Sequence, residues 1–172
     1  IVDLANVYRV GFSKLLSIGN KADIDEIEVM KTLGRDPETK VIAGYLETIS
    51  DGDAFVSAAE RVSRDKPILI MKSGVTGAGA KAASSHTGRL AGIETAYECV
   101  FERAGVVRCE SIKAQFDYAR AFANQPLPAG PNVAVIANAG GAGIMAADAI
   151  EREGLTLTTL ENETIERLAG SL

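Results

Sequence analysis

Val41-Ile42-Ala43-Gly44-Tyr45-Leu46 and Pro67-Ile68-Leu69-Ile70-Met71 are two short, almost unbroken apolar runs, and their reading decides the fold. A strand covered on both faces keeps no polar side, so its sequence runs apolar instead of alternating. Proline suits the first position of such a strand, where its missing N–H removes no ladder bond. Between the runs, Ala54 to Val62 carries Phe55, Ala58, Ala59 and Val62 on one helical face. Strand, helix and strand in that order predict two parallel strands joined by a helical crossover.

The same alternation extends in both directions. Residues 1–10 read as a helix, Phe12 to Ile18 as a strand, and residues 24–33 as a helix with Ile24, Ile27 and Met30 at helical spacing. Downstream come a helix from Ile93 to Arg103, a strand at Val106-Val107 and a helix from Ser111 to Asn124, with Ser111 as its N-cap. Pro126, Pro128 and Pro131 make residues 126–132 an extended linker. Beyond it, Val133 to Ala137 reads as a strand, Gly143 to Glu153 as a helix, Leu155 to Leu157 as a strand and Glu161 to Leu168 as a helix. The expectation is an α/β fold with a parallel sheet over residues 1–125, followed by residues 133–172 as the beginning of a second α/β domain. The chain opens Ile1-Val2-Asp3 without methionine, so the first domain is expected to be truncated at its N-terminus, within a longer protein.

Composition narrows the function classes. Of the 172 residues 47% are hydrophobic and 24% charged, the balance of a globular chain with a core. A net charge of −5, with aromatics at only 5% and no basic stripe, gives no reason to expect nucleic acid as a partner. No apolar run approaches the ~20 residues of a membrane span. Cys99 and Cys109 are not clustered as metal ligands would be, and fit a reduced, cytoplasmic protein in which both are small buried apolar residues.

One stretch breaks the pattern. Ser73 to Gly92 is dominated by Gly, Ala and Ser, too small-residued for a core element, and a long loop in a compact domain is usually functional. It begins just beyond the carboxyl end of a predicted parallel strand, where open α/β sheets bind ligands. Its centre is Ala82-Ala83-Ser84-Ser85-His86-Thr87-Gly88, which contains the chain's one histidine. A nucleophilic imidazole needs a carboxylate on its other nitrogen to fix the tautomer. Glu47, directly after Tyr45-Leu46 at the end of another strand, is the candidate, expected within hydrogen-bond reach of His86, roughly 2.6–3.2 Å. The alternative for Glu47 is a solvated strand-end carboxylate.

Asn138-Ala139-Gly140-Gly141-Ala142-Gly143 follows one strand and opens one helix, and backbone N–H groups at such a turn form an anion site. Gly141, Gly143 and Ala146 also match the dinucleotide fingerprint G-x-G-x-x-A, with Glu161 roughly where a ribose-binding acid is sought. Gly74 and Gly79 have the spacing of a P-loop, but Ala80 stands where lysine is required. No zinc motif is present, and no metal ligands are assigned.

Taken together, these segments resemble the NDP-forming acyl-CoA synthetases, relatives of succinyl-CoA synthetase. Lys72-Ser73-Gly74 through Gly88 resembles the phosphohistidine loop, Ser17-Ile18-Gly19-Asn20-Lys21-Ala22-Asp23 an upstream loop-to-helix segment, and Asn138 to Gly143 the glycine turn of the following domain. The resemblance implies a flavodoxin-like, succinyl-CoA-synthetase-like phosphohistidine domain. It further implies conversion of acyl-CoA, phosphate and ADP or GDP into carboxylic acid, CoA and ATP or GTP. His86 would be the phosphorylated nucleophile and Glu47 the carboxylate that positions it. Gly140, Gly141 and Gly143 would face the phosphoryl group, as would the hydroxyls of Ser85 and Thr87. CoA thioester, phosphate and nucleotide with Mg²⁺ would be used by the intact enzyme, with none held tightly by this piece. The partners implied are a CoA-binding domain and an ATP-grasp domain, on the same chain or another subunit of a homo- or hetero-oligomer. Without them the 172 residues are expected to be inactive as a synthetase. Ala142 departs from the proline that many relatives carry. Two other readings stay open: an acyl-CoA-sensing regulatory module, as in a protein acetyltransferase, and a dinucleotide-binding module.

Overall fold

The computed structural model describes residues 1–74 and 94–170. Their contacts divide into two compact units, Ile1–Pro126 and Leu127–Leu172.

The first unit holds α1 (Val2–Tyr8), α2 (Glu26–Arg35), β1 (Ile42–Leu46), α3 (Gly52–Val62), β2 (Ile68–Lys72), α4 (Glu94–Ala104), β3 (Val107–Arg108) and α5 (Ile112–Asn124). The three strands lie in the order β1-β2-β3, all parallel, with Leu46 opposite Lys72 and Leu69 opposite Val107. The two apolar runs are therefore neighbouring strands, as their composition requires. Ile68 and Ile70 point into one core cluster with Ile42, Leu46, Phe55, Ala59 and Phe101. Leu69, between them, points the other way and is also fully buried. Helices α2, α3 and α4 pack side by side, α5 packs on β2, and α1 packs on α5, where Tyr8 stacks on Phe116 at 5.3 Å.

Local chemistry explains the helix starts. Asp25 accepts from the N–H groups of Ile27 and Glu28, Asp51 from Ala54, and the Ser111 hydroxyl from Ala114, each filling an orphan donor of a first turn. At Gly34 α2 lies against α3: a Cβ there would lie 2.7 Å from a Val62 methyl. At the centre, Phe55 and Phe101 sit 6.1 Å apart in a tilted pair. Phe101→Ala should cost roughly 3–5 kcal/mol, because the cavity left in a close-packed core cannot collapse fully. Denaturant unfolding of the protein measures this as a lower midpoint at unchanged slope.

The second unit contains β4 (Asn132–Val133), α6 (Gly140–Arg152), β5 (Thr156–Leu157) and α7 (Asn162–Ala169), with β4 and β5 parallel.

Several sequence expectations shift. Phe12 to Ile18 forms no strand; the Ser13 hydroxyl bonds that of Thr39 at 2.9 Å and Lys14 pairs with Asp36 at 2.6 Å, tying the segment to the turn after α2. Its apolar residues Phe12, Leu15, Leu16 and Ile18 follow no period of two, which a half-buried strand needs. β3 begins at Val107 rather than Val106. β4 stops at Val133, whose carbonyl accepts the last rung from Thr158, so Ala134 to Ala137 is not strand. Helix α6 starts at Gly140, three residues early, so the glycines form its first turn. Cys109 is buried, and desolvation pushes its thiol up, but Cys99 is exposed.

Candidate functional site

Of the candidate residues in the first unit, the described one is Glu47, at the carboxyl edge of the three-stranded sheet. Leu46 closes β1 opposite Lys72, the last residue of β2, and the Ser73 N–H donates to the Leu46 carbonyl at 3.0 Å. The pairing thus carries one residue past the strands and sets half-buried Glu47 beside Ser73 at one edge. Gly74 then turns with φ at +73°, a left-handed conformation that favours glycine. It is the last described residue before the segment that carries Ser85, His86 and Thr87, which lie outside the described residues. Glu47 stands where the strand-end reading put it, at the foot of that segment.

Two lysines to which sequence reasoning gave no role of their own hold this edge. Lys21 donates to the Thr48 carbonyl at 2.5 Å and pairs with Glu26 at 2.7 Å, with only 9% and 5% of the two side chains exposed. Glu26 in turn accepts from the Ser50 N–H at 2.6 Å and from its hydroxyl at 3.2 Å. Lys72, also buried, lies 4.4 Å from the centre of the Tyr97 ring and donates to the Ser73 carbonyl. A desolvated ammonium over an aromatic face is stabilised by the ring quadrupole. The available signal was positional: Lys72 is the one charge ending an apolar strand, and Lys21 lies in the Ser17–Asp23 segment already singled out.

The glycine turn sits in the second unit. Ala139 caps α6 without a side-chain acceptor, and the first intrahelical bond runs from the Gly143 N–H to the Ala139 carbonyl. The N–H groups of Gly140 and Gly141 belong to the turn that a helix leaves unbonded, at the positive end of its dipole. Ala139, Gly140 and Gly143 line an open cleft of about 370 Å³ with Ala137, Leu157 and Thr158, beyond the carboxyl ends of β4 and β5. A methyl group on Gly140 or Gly141 would meet nothing within 4 Å among the described residues. Helix packing therefore does not demand these glycines; they leave backbone accessible. Glu161 is the N-cap of α7, four residues beyond the end of β5.

No group of three His, Cys, Asp or Glu able to hold a metal ion occurs among the described residues. Nor, among them, is any helix long and apolar enough to cross a membrane.

Comparison with known proteins gives the family and agrees with the fold. Residues 1–122 match the family described as the succinyl-CoA ligase like flavodoxin domain. The chain is 45% identical over 163 residues to the alpha subunit of an ADP-forming acetate–CoA ligase II of Pyrococcus furiosus, covering 95% of this chain and 35% of that one. It is 40% identical over its full 172 residues to an ADP-forming acetate–CoA ligase of Methanocaldococcus jannaschii, covering 24% of that protein. Among solved structures it superposes with a TM-score of 0.89 and 36% identity on a dinucleotide-forming acetyl-coenzyme A synthetase 1 of Ca. Korarchaeum cryptofilum in complex with phosphate and ADP. That match covers 95% of this chain and 36% of the other. The chain thus spans about a quarter to a third of the length of these relatives.

Proposed function

The chain belongs to the family of succinyl-CoA ligase like flavodoxin domains, and on that premise we propose that it is the phosphohistidine-bearing part of an NDP-forming acyl-CoA ligase. The observation that carries this reading is the likeness to ADP-forming acetate–CoA ligases along nearly the whole chain. The placement of Glu47 beside the root of the His86 segment supports it.

In this mechanism phosphate attacks the thioester carbonyl of acyl-CoA; the C–S bond breaks, and CoA leaves as an acyl phosphate forms. An imidazole nitrogen of His86 then attacks the phosphorus; the carboxylic acid departs and a phosphohistidine remains. The phosphoryl group passes from His86 to the β-phosphate of ADP or GDP, giving ATP or GTP. Glu47 holds the imidazole in the tautomer whose free nitrogen faces phosphorus. The free amides of Gly140 and Gly141 offer donors to the phosphoryl oxygens, with Gly143 keeping the turn open to close approach, and the hydroxyls of Ser85 and Thr87 offer further donors. CoA is assigned to a CoA-binding domain. Nucleotide and its Mg²⁺ are assigned to an ATP-grasp domain of the same protein or of a partner subunit in a cytoplasmic assembly.

Incubating the full-length protein with acyl-CoA and phosphate should add one phosphoryl group to the peptide containing His86, read by mass spectrometry. Its absence, with CoA release intact, would remove the phosphohistidine from the reaction.

The glycine turn gives a prediction in which stability and activity move in opposite directions. Alanine favours a helix over glycine by roughly 0.5–1 kcal/mol, and nothing nearby opposes a methyl at Gly140. Gly140→Ala should therefore leave thermal stability equal or slightly higher. Phosphoryl transfer in the intact ligase should fall about tenfold, as the methyl blocks close approach to the backbone. Equal transfer rates would take the turn out of the site.

A further inference from the structure

We infer that Lys21 and Glu26 are positioning residues for Glu47: a buried ion pair that fixes the loop after β1 at the working edge of the sheet. The inference rests on the role of Glu47 proposed above. A strand-end loop is ordinarily the mobile part of an α/β sheet, yet this one is tied at nearly every residue around Glu47. The Leu46 carbonyl takes the Ser73 N–H at 3.0 Å. The Thr48 carbonyl takes Lys21 Nζ at 2.5 Å. The N–H and hydroxyl of Ser50 both donate to Glu26, and Asp51 caps α3 through the Ala54 N–H. Glu47 lies between the first two ties.

Stability alone does not explain this arrangement. A well-packed apolar pair is often as stabilising as a buried ion pair, because desolvation offsets the Coulombic gain. The backbone is also bent to deliver the lysine: Lys21 has φ at +57°, left-handed for a non-glycine, two residues after Gly19 at +52°. Such conformations persist where the surrounding structure over-determines them, and they cluster at functional sites. An apolar pair can neither donate to the Thr48 carbonyl nor accept from Ser50. What the ion pair adds is direction, and a carboxylate that orients an imidazole needs it, since a displacement of about 1 Å can cost on the order of 10²-fold in rate.

The test is a double-mutant cycle in the full-length ligase, reading single-turnover phosphorylation of the protein from ATP together with thermal unfolding. Lys21→Met should slow phosphorylation about tenfold or more with little change in the KM for nucleotide, and Lys21→Arg should recover part of the rate. In a Glu47→Gln background the same Lys21→Met change should add less than about threefold, because its effect passes through a carboxylate already removed. If Lys21→Met does not fold, Glu26→Gln, which keeps shape and an acceptor for Ser50, takes its place in the cycle. Full additivity, or an unchanged rate in a folded single variant, would overturn the inference while leaving Glu47 in the mechanism. An unchanged rate in Glu47→Gln alone would overturn the role of Glu47 itself, and the positioning role with it.

Discussion

Replacing Glu47→Gln in the intact ligase is expected to slow phosphorylation of His86 by about 10²-fold or more, while the unfolding midpoint moves little. The magnitude follows from the role proposed for the carboxylate. An imidazole attacks phosphorus through an unprotonated nitrogen, so its proton must sit on the other one, and a carboxylate accepting that N–H holds it there. Glutamine keeps the length and shape but exchanges an acceptor-only group for one that also donates. It can therefore present an N–H to the ring and stabilise the wrong tautomer, and positioned acid–base partners of this kind contribute about 10²–10⁴-fold. The small stability effect follows from the site. Glu47 is half-buried just past the strand, and its flanking residues are anchored through backbone atoms that the substitution leaves alone. Single-turnover labelling and a thermal melt on the same preparation separate the two quantities. A wild-type labelling rate would remove Glu47 from the mechanism.

The parts of this molecule that were legible in the sequence are those where one physical rule acts alone. Ile42–Leu46 and Ile68–Lys72 read as buried strands because burial on both faces excludes polar residues. Helix α5 starts where Ser111 can cap it. Phe12 to Ile18 misled because apolar content without periodicity does not choose between a strand and a segment held by side-chain bonds, here Ser13 to Thr39 and Lys14 to Asp36. Val133 to Ala137 misled because a strand needs a partner as long as itself, and β5 ends at Leu157. The two cysteines read alike and fold differently: Cys109 is in the core, whereas Cys99 is on the exposed face of α4.

The site divides in the same way. The position of Glu47, though not its role, was legible because it follows a recognisable strand, and a parallel sheet delivers strand ends to one edge. The Lys21–Glu26 pair was not, because a charge is ordinarily read as solvated surface. Lys21 is buried instead, in a left-handed backbone conformation that no hydropathy pattern reveals. Lys72 was named only as the start of a segment, and its burial was not legible for the related reason that its ammonium is balanced in part by an aromatic face, a partner distant in sequence. Buried charges at a sheet edge are thus features that patterning hides and that three-dimensional contacts reveal.

The largest effect is expected at His86. Labelling the intact ligase with radioactive phosphate from ATP should give a protein-bound label that is lost in acid and stable in base. In His86→Ala that label should be absent and synthetase turnover should fall by about 10³-fold or more. The reason lies in the bond. In the proposed mechanism the site takes a phosphoryl group from an acyl phosphate at one centre and surrenders it to a nucleoside diphosphate at another, so the intermediate has to lie near both in transfer potential. A phosphoramidate N–P bond meets that condition: protonation of the ring nitrogen makes imidazole a good leaving group, which is also why acid destroys it. A phosphoester on Ser85 or Thr87 would be too stable to pass its group to ADP, and would survive acid. Those hydroxyls are better matched to donating hydrogen bonds to phosphoryl oxygens, where an O–H to an anionic oxygen is roughly twice as strong as a neutral pair. Ser85→Ala and Thr87→Val should accordingly slow labelling without abolishing it. Label that persists in His86→Ala, or that resists acid, would assign the phosphoryl group to another side chain and remove the histidine from the centre of the mechanism.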